Sequence, residues 1–140
     1  PVDSQILQAI KLAREVRENA YCPYSNFRVG AAVLCQDGTL FTGVNVENAS
    51  YGLTVCAERV AIMKAVSEGH KKFTAIAICC DIRESFKASC GACRQVLAEF
   101  SLNWDMYLVK PDGIWKKVEF KGLLPLAFTP ASLDEERVTT

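Results

Sequence analysis

The sequence predicts an α/β fold, a three-layer α-β-α sandwich with a central mixed five-stranded sheet. Segments with the apolar spacing of helices alternate with short runs of β-forming residues, in the order α-β-β-α-β-α-β-β-α. Helices interleaved with strands in this way favour one sheet covered on both faces. Apolar residues make up 50% of the 140 positions, and no repeat or linker divides the chain. We therefore expect one domain over residues 1–140.

Three segments carry the apolar spacing of amphipathic helices. In Ser4–Ala20 the apolar side chains recur every three or four residues, and Ser4 is expected to be the N-cap. The same spacing returns in Cys56–Glu68, which ends before Gly69, a residue type common at helix C-termini. The third predicted helix is Gly91–Phe100.

Five short runs of apolar and β-branched residues are predicted strands. Asp-Gly pairs lie between the first two runs and between the last two, so both pairs are predicted hairpins. The middle run is apolar along its length, as in a strand buried on both faces. The predicted strands are Arg28–Cys35, Leu40–Val46, Phe73–Cys80, Met106–Val109 and Ile114–Val118, and a short helix and loop are expected from Leu123 onwards.

Charge and composition exclude several classes of function. The 16 Lys and Arg residues balance 16 Asp and Glu residues, whereas a nucleic-acid-binding face needs an excess of positive charge. A single His excludes HExxH zinc sites and iron sites with two His ligands. No apolar run approaches the roughly 18 residues of a membrane span, and the first residues lack the features of a signal peptide. We expect a cytoplasmic protein without nucleic-acid or membrane partners.

Seven cysteines are present, an odd number that excludes complete pairing within one chain. In a cytoplasmic protein most thiols stay reduced and act as small apolar core residues. This interpretation applies to Cys22, Cys35, Cys79 and Cys80. The other three stand at the starts of two predicted helices.

The motif Cys90-Gly91-Ala92-Cys93 opens the third predicted helix. Its two cysteines are about one helical turn apart, so both sulfurs can bind one ion. Alone, a CxxC motif fits a zinc half-site, a redox pair or chance. A redox pair is disfavoured because the order of elements is not thioredoxin-like.

Cys56 opens a second helix and is followed by Glu58 and Arg59. Two helix N-termini bearing thiols can converge on one cation at the end of a sheet, and their partial positive charge favours thiolates. Three thiolates leave one tetrahedral position free for water, as in catalytic zinc sites. Glu58 is then a candidate proton acceptor, and Arg59 a candidate to offset thiolate charge by hydrogen bonding to sulfur. The alternative for both side chains is a solvated helix face.

The run Cys56-Ala57-Glu58-Arg59, followed by Cys90-Gly91-Ala92-Cys93-Arg94-Gln95, resembles the zinc signature of the cytidine deaminase family. The chain is similar to its small, homotetrameric, nucleoside-acting type, because the polynucleotide and free-base branches typically place His where Cys56 stands. One departure is Ser89, at the position of the family's usual Pro. The similarity extends to Tyr21–Ser25, Phe27, Val29–Ala32, Asn45–Ala49 and Leu123–Pro125.

The resemblance implies hydrolytic deamination at C4 of a pyrimidine, with one Zn²⁺ per subunit bound by Cys56, Cys90 and Cys93. It also implies that Glu58 transfers protons from water to N3 and to the departing amine. The backbone of Ala57 is expected to contact the edge of the base.

The resemblance assigns Asn45 and Glu47 to the ribose hydroxyls. Two residues apart on a strand end, they face the same way, and an amide with a carboxylate suits a diol. A polar outer strand face is the alternative. Phe27 is expected to pack on the base, while Phe128 and Tyr51 are expected to reach a neighbouring subunit's site. Core packing is the alternative for an isolated aromatic residue.

We therefore expect deamination of cytidine and 2′-deoxycytidine to the uridines, in pyrimidine salvage, by a homotetramer whose subunits complete one another's sites. A second hypothesis is a non-catalytic zinc-stabilised interaction domain. It needs a fourth ligand from Cys35, Cys79 or Cys80. It also leaves Glu58 and the pair Asn45 and Glu47 unexplained. A third is a deaminase of another small aminated heterocycle, such as a nucleoside antibiotic, which the ribose-facing pair disfavours.

Overall fold

The computed structural model describes residues 3–139. Within this range, helices and strands follow the predicted order except at the C-terminus, where short 3₁₀-helices replace the last helix. No helix in the described range combines the length and apolar character that crossing a bilayer requires. The elements are α1 Ser4–Val16, β1 Val29–Cys35, β2 Leu40–Val44, α2 Ala57–Ser67, β3 Phe73–Cys80, α3 Gly91–Phe100, β4 Asp105–Val109 and β5 Trp115–Glu119, with 3₁₀-helices at Arg17–Asn19, Tyr51–Leu53, Phe120–Leu123 and Pro130–Asp134.

The strands form one sheet in the order β2-β1-β3-β4-β5. β3 and β4 are parallel and every other neighbouring pair is antiparallel, so the prediction of a mixed five-stranded sheet is confirmed. Ala77 of the central strand pairs with Ala32 on one side and with Tyr107 on the other. All of β3 except Thr74 is buried, as expected for a strand covered on both faces.

Helices cover both faces of the sheet, which confirms the three-layer arrangement. On one face α1 packs against Leu34 and Ala75. On the other face α2 and α3 pack against Val33, Ile76 and Met106. Because successive strand residues point to opposite faces, each central strand contributes to both cores.

The direction of the strands places the starts of two helices together. β1 is antiparallel to both β2 and β3, so β2, β3 and β4 all run the same way and end at one edge of the sheet. α2 follows β2 and α3 follows β3 along the chain. Their N-termini therefore meet at the carboxyl ends of the strands, where open α/β sheets bind ligands.

The ends of α1 differ from the sequence prediction. The N-cap is Asp3, whose carboxylate accepts a hydrogen bond from the N–H of Ile6 at 2.9 Å, so the prediction of Ser4 as N-cap is wrong. A carboxylate one residue earlier takes the capping position, and Ser4 becomes the first helical residue. The α-helix ends at Val16 rather than Ala20, and the chain tightens into the 3₁₀-helix Arg17–Asn19, as is frequent at helix C-termini.

The second strand is also shorter than predicted. It ends at Val44, because Val46 leaves β1 and pairs instead with Val55. Both predicted hairpins are present, and the turn glycines Gly38 and Gly113 adopt φ angles of 92° and 94° that favour glycine.

Candidate metal centre and active site

Three cysteine sulfurs converge where α2 and α3 begin. Cys56 is the N-cap of α2, Cys90 is the N-cap of α3, and Cys93 lies in the first turn of α3. Their sulfur atoms all lie within 4.8 Å of one another, and the Cys56 and Cys90 sulfurs are 3.9 Å apart. Sulfurs placed tetrahedrally at about 2.3 Å from zinc would be about 3.8 Å apart. The three predicted ligands thus fit one zinc ion.

Positive charge and hydrogen bonds favour thiolate at this cluster. A hydrogen bond with the Cys93 thiol and the nearby Arg59 guanidinium together lower the pKa of Cys56 to about 5. The hydrogen bond with Cys56 and burial raise the pKa of Cys93. Of these two cysteines, Cys93 therefore keeps the shared proton. Arg59 Nη2 donates to Cys56 Sγ at 3.2 Å, the contact that the sequence predicted. Because metal binding needs deprotonated cysteine, this environment prepares a ligand.

Glu58 lies in the first turn of α2, two residues after Cys56. It is only 4% exposed, and burial raises the pKa of its carboxyl group. Its side chain lines the same cavity as Cys56 and Cys90. A buried carboxyl with a raised pKa is suited to accept and return a proton near neutral pH. The alternative of a solvated helix face therefore does not hold for Glu58.

The cavity beside the sulfurs has a volume of about 480 Å³, within the range of about 300–1,000 Å³ typical of small-molecule sites. Cys80, predicted as a core residue, is buried and also contributes to the wall. The wall includes the predicted substrate-binding residues Phe27, Asn45, Glu47 and Ala57.

Asn45 fixes the loop that carries Phe27. Its Oδ1 accepts a hydrogen bond from the N–H of Val29 at 3.0 Å, and its Nδ2 donates to the carbonyl of Phe27 at 2.8 Å. A primary amide has two N–H groups, so one Nδ2 proton is left over from these two contacts. The residue is 8% exposed, which makes it a buried support of the cavity wall.

Glu47 is held as a carboxylate at the more exposed end of the cavity. The hydroxyl of Ser25 donates to it, as do the N–H groups of Tyr24 at 3.0 Å and Ser25 at 3.1 Å. These bonds, the Ser25 hydroxyl first, lower the pKa of Glu47. Glu47 therefore stays ionised at neutral pH and presents acceptor oxygens.

Comparison with known proteins decides the family. A family model described as the cytidine and deoxycytidylate deaminase zinc-binding region matches residues 3–108. This chain belongs to that family. A cytidine deaminase of Halalkalibacterium halodurans is 47% identical over 135 residues, which cover 96% of this chain and 100% of that protein.

Solved structures of cytidine deaminases share the fold. The enzyme from Burkholderia pseudomallei matches with a TM-score of 0.82 and 44% identity, over 86% of this chain and 97% of that one. The enzyme from Mycobacterium tuberculosis matches with a TM-score of 0.77 and 38% identity, over 90% of this chain and 98% of that one. The cytidine deaminase-like fold that the resemblance implied is confirmed.

A fourth protein ligand is missing from the described part of this deaminase-family chain. The cluster of Cys, His, Asp and Glu side chains able to hold an ion there contains three members only. Cys35 and Cys79 are buried elsewhere, and Cys80, which lines the cavity, does not join the cluster either. The zinc-stabilised interaction domain, which needed one of them, therefore loses its support, and a zinc ion held by the three sulfurs would keep a coordination position for water.

Two predicted aromatic residues of the deaminase chain stand apart from its own sulfur cluster. Tyr51 is 73% exposed and its ring lies 5.7 Å from that of Tyr24, beside a smaller cavity of about 240 Å³. Phe128 is 61% exposed, and its carbonyl accepts a hydrogen bond from Gln95 Nε2 at 2.8 Å. Neither lines the larger cavity. Their contact with a neighbouring subunit stays a prediction.

Two supporting residues, Arg94 and Lys87, were not among the site residues predicted from the sequence. Arg94 Nε donates to the carbonyl of Ser89 at 2.8 Å, and its Nη1 donates to the carbonyl of Leu123 at 2.9 Å, which ties the loop before Cys90 to the C-terminal segment. The position of Arg94 directly after the CxxC motif could have indicated a supporting role. For Lys87, which lines the larger cavity, the sequence contains no such signal.

Proposed function

We propose that this chain catalyses the hydrolytic deamination of cytidine and 2′-deoxycytidine to uridine and 2′-deoxyuridine, with release of ammonia. The observation that carries the proposal is the convergence of three cysteine sulfurs and the buried Glu58 carboxyl on one cavity. The relative from H. halodurans, matched over its whole length, is a cytidine deaminase.

In the mechanism we propose, Glu58 moves the protons. Zinc, when bound to the three thiolates, supplies a Lewis acid that makes water a stronger nucleophile. Glu58 accepts a proton from the attacking water and delivers it to N3, whose basicity rises as C4 becomes tetrahedral. Glu58 then takes the second proton from the C4 hydroxyl and passes it to the amine, so that the C4–N bond breaks, the C4 carbonyl forms and ammonia leaves. Burial of its carboxyl keeps competing water away from this transfer.

We propose that Arg59 limits the negative charge at the metal. Three thiolates would place three negative charges around one zinc ion and would weaken it as a Lewis acid. The hydrogen bond from Arg59 to Cys56 at 3.2 Å withdraws part of that charge. Arg59 therefore supports both metal binding and nucleophile formation without touching the substrate.

The substrate contacts follow the cavity wall. Phe27 packs on the base, and the backbone of Ala57 contacts the edge of the base. Glu47 accepts hydrogen bonds from the ribose hydroxyls, since its carboxylate is ionised and held by Ser25. Asn45 contributes its remaining N–H to the same ribose while it braces the Phe27 loop.

At the level of the assembly, we propose a homotetramer in which Tyr51 and Phe128 of one subunit complete a neighbour's cavity. Their exposures of 73% and 61% are large for aromatic side chains in one chain and suit burial against a second.

We further propose that residues 1–140 form one catalytic domain. Seven free thiols suit a reducing cytoplasm, where the reaction serves pyrimidine salvage.

Metal analysis combined with an ultraviolet assay tests this function. The purified protein should contain one zinc per subunit, and cytidine or 2′-deoxycytidine should lose absorbance as each becomes the uridine. Cytosine, CMP and adenosine are the controls and should not react. Bound zinc without turnover of any nucleoside would contradict the proposal and favour the interaction-domain hypothesis.

A further inference from the structure

The peptide group that joins Phe27 to Arg28 is held from both sides by side chains. The carbonyl of Phe27 accepts a hydrogen bond from Asn45 Nδ2 at 2.8 Å. The N–H of Arg28 donates to Asp81 Oδ2, also at 2.8 Å. Asp81 directly follows the central strand β3 and has no task in the mechanism proposed above. A residue 53 positions away thus helps to set the orientation of the peptide that carries Phe27.

Two guanidinium groups fix the carboxylate of Asp81. Arg28 Nε donates to Asp81 Oδ2 at 3.1 Å and Arg28 Nη2 donates to Oδ1 at 3.0 Å, a two-point contact that determines the plane of the carboxylate. Arg17 Nη1 lies 3.4 Å from Asp81 Oδ1 and also donates to the carbonyl of Cys80 at 3.4 Å. Because the side chains of Asp81 and Arg17 are mostly buried, solvent screens their charges only weakly. Asp81 is therefore a fixed acceptor for the N–H of Arg28.

Phe27 depends on such support because the core does not hold its ring. Its side chain lines the cavity, and the residue is 37% exposed. The preceding residue, Asn26, has a φ angle of 55°, in the left-handed region that residues other than glycine keep only where surrounding contacts hold them. Hydrogen bonds to the backbone, rather than packing of the side chain, therefore decide where the ring lies.

We propose that Asp81 is a positioning residue that holds the Phe27–Arg28 peptide and thereby places the Phe27 ring against the base of the substrate. This inference rests on the proposed deamination. Asp81 acts through Phe27 and takes no part in the proton transfers. Packing of the ring on the base contributes equally to binding of the substrate and of the transition state, so its loss raises KM and leaves kcat nearly unchanged. Loss of Glu58 or of zinc would instead lower kcat.

The test compares Asp81→Ala with Glu18→Ala. We expect Asp81→Ala to raise KM for cytidine about 10-fold, the order of magnitude for loss of a hydrogen bond to a charged group. Its kcat per bound zinc should stay near the wild-type value. Glu18 is the matched control, because it accepts from Nη1 of the same Arg28 at 3.0 Å but is exposed and does not contact the peptide. Glu18→Ala should leave KM unchanged, since exposed ion pairs contribute little.

Asp81→Asn is a second variant in case Asp81→Ala does not fold. It keeps the size of the side chain and one acceptor oxygen, so it should raise KM less than Asp81→Ala does. KM does not depend on the fraction of folded protein, so a partial loss of stability does not imitate the expected result.

A double-mutant cycle with Phe27→Ala separates positioning of the ring from other roles. If Asp81 acts through Phe27, the Asp81 substitutions raise KM no further in that background. The proposal is overturned by an unchanged KM in the Asp81 variants that fold, by a fall in kcat without a rise in KM, or by equal rises with and without Phe27. Absence of wild-type turnover would overturn both this inference and the proposed function, whereas wild-type turnover with an unchanged KM overturns this inference alone.

Discussion

At the residue scale, neighbouring side chains in the first turn of α2 have different tasks. Glu58 is buried and lines the cavity, whereas Arg59 donates to the sulfur of Cys56. The helical turn directs the carboxyl of Glu58 to the cavity and the guanidinium of Arg59 to the sulfur of Cys56. Each group can be removed separately, by Glu58→Gln or by Arg59→Gln.

Replacing the carboxyl group of Glu58 tests proton transfer. Glu58→Gln should lower kcat by at least about 100-fold, the lower range for loss of a general acid–base group. Zinc content should stay at the wild-type value, since Glu58 is not a ligand. Stopped assays with cytidine and metal analysis of the same sample measure both. Substantial remaining turnover would remove Glu58 from proton transfer.

Replacing Arg59 tests charge compensation. Arg59→Gln should weaken zinc binding by about 10- to 100-fold, the range for partners of metal ligands. Competition with a chelator measures the affinity. Arg83→Gln is the matched control, because Arg83 is exposed and donates no hydrogen bond to sulfur within the described chain. Equal affinities for wild type and Arg59→Gln would contradict the charge-offset account.

At the element scale, the close approach of β2 and α2 determines where the metal-binding turn lies. A Cβ added at Gly43 would lie 2.5 Å from the backbone nitrogen of Ala61 and would also collide with the carbonyl of Ala57. Glycine is therefore required here by space rather than by backbone angle. Any larger residue must push α2, and with it Cys56 and Glu58, away from the sheet.

We expect Gly43→Ala to destabilise the protein by about 1–3 kcal/mol, the usual cost of overpacking, and to weaken zinc binding as α2 shifts. Urea unfolding at fixed protein concentration and chelator competition measure the two effects. Gly122→Ala is the control, since a Cβ there meets no atom within 4 Å. If Gly43→Ala behaved like the control, the helix position would not depend on this contact.

At the scale of the whole molecule, the proposed sharing of sites between subunits can be tested by mixing two variants that are each impaired in a different part of the site. Phe128→Ala should raise KM without changing zinc content, while Glu58→Gln abolishes turnover. In a mixed assembly, a subunit with intact Glu58 can sit beside a neighbour with intact Phe128. Co-refolding the two variants should therefore recover activity above the sum of the separate samples. No recovery, with mixed assemblies shown to form, would contradict shared sites.

The fold was largely predictable from the sequence. The strand Phe73–Cys80 and the helix Gly91–Phe100 have the predicted boundaries, because apolar periodicity and the polar residues around them are local features. The ends of α1 and β2 were less predictable. The choice of Asp3 over Ser4 as N-cap and the pairing of Val46 with Val55 depend on competition between neighbouring or distant groups.

The sequence by itself determined which chemistry this protein can perform. The spacing of Cys56, Glu58 and the CxxC motif along two helix starts is local, and so are the properties of thiols and carboxylates. The tertiary structure alone decided how these groups meet. It brings the sulfurs of Cys56 and Cys90 to 3.9 Å across 34 residues and buries Glu58 at the wall of the same cavity. Such distances follow from packing of separate segments around one sheet, which local spacing does not encode.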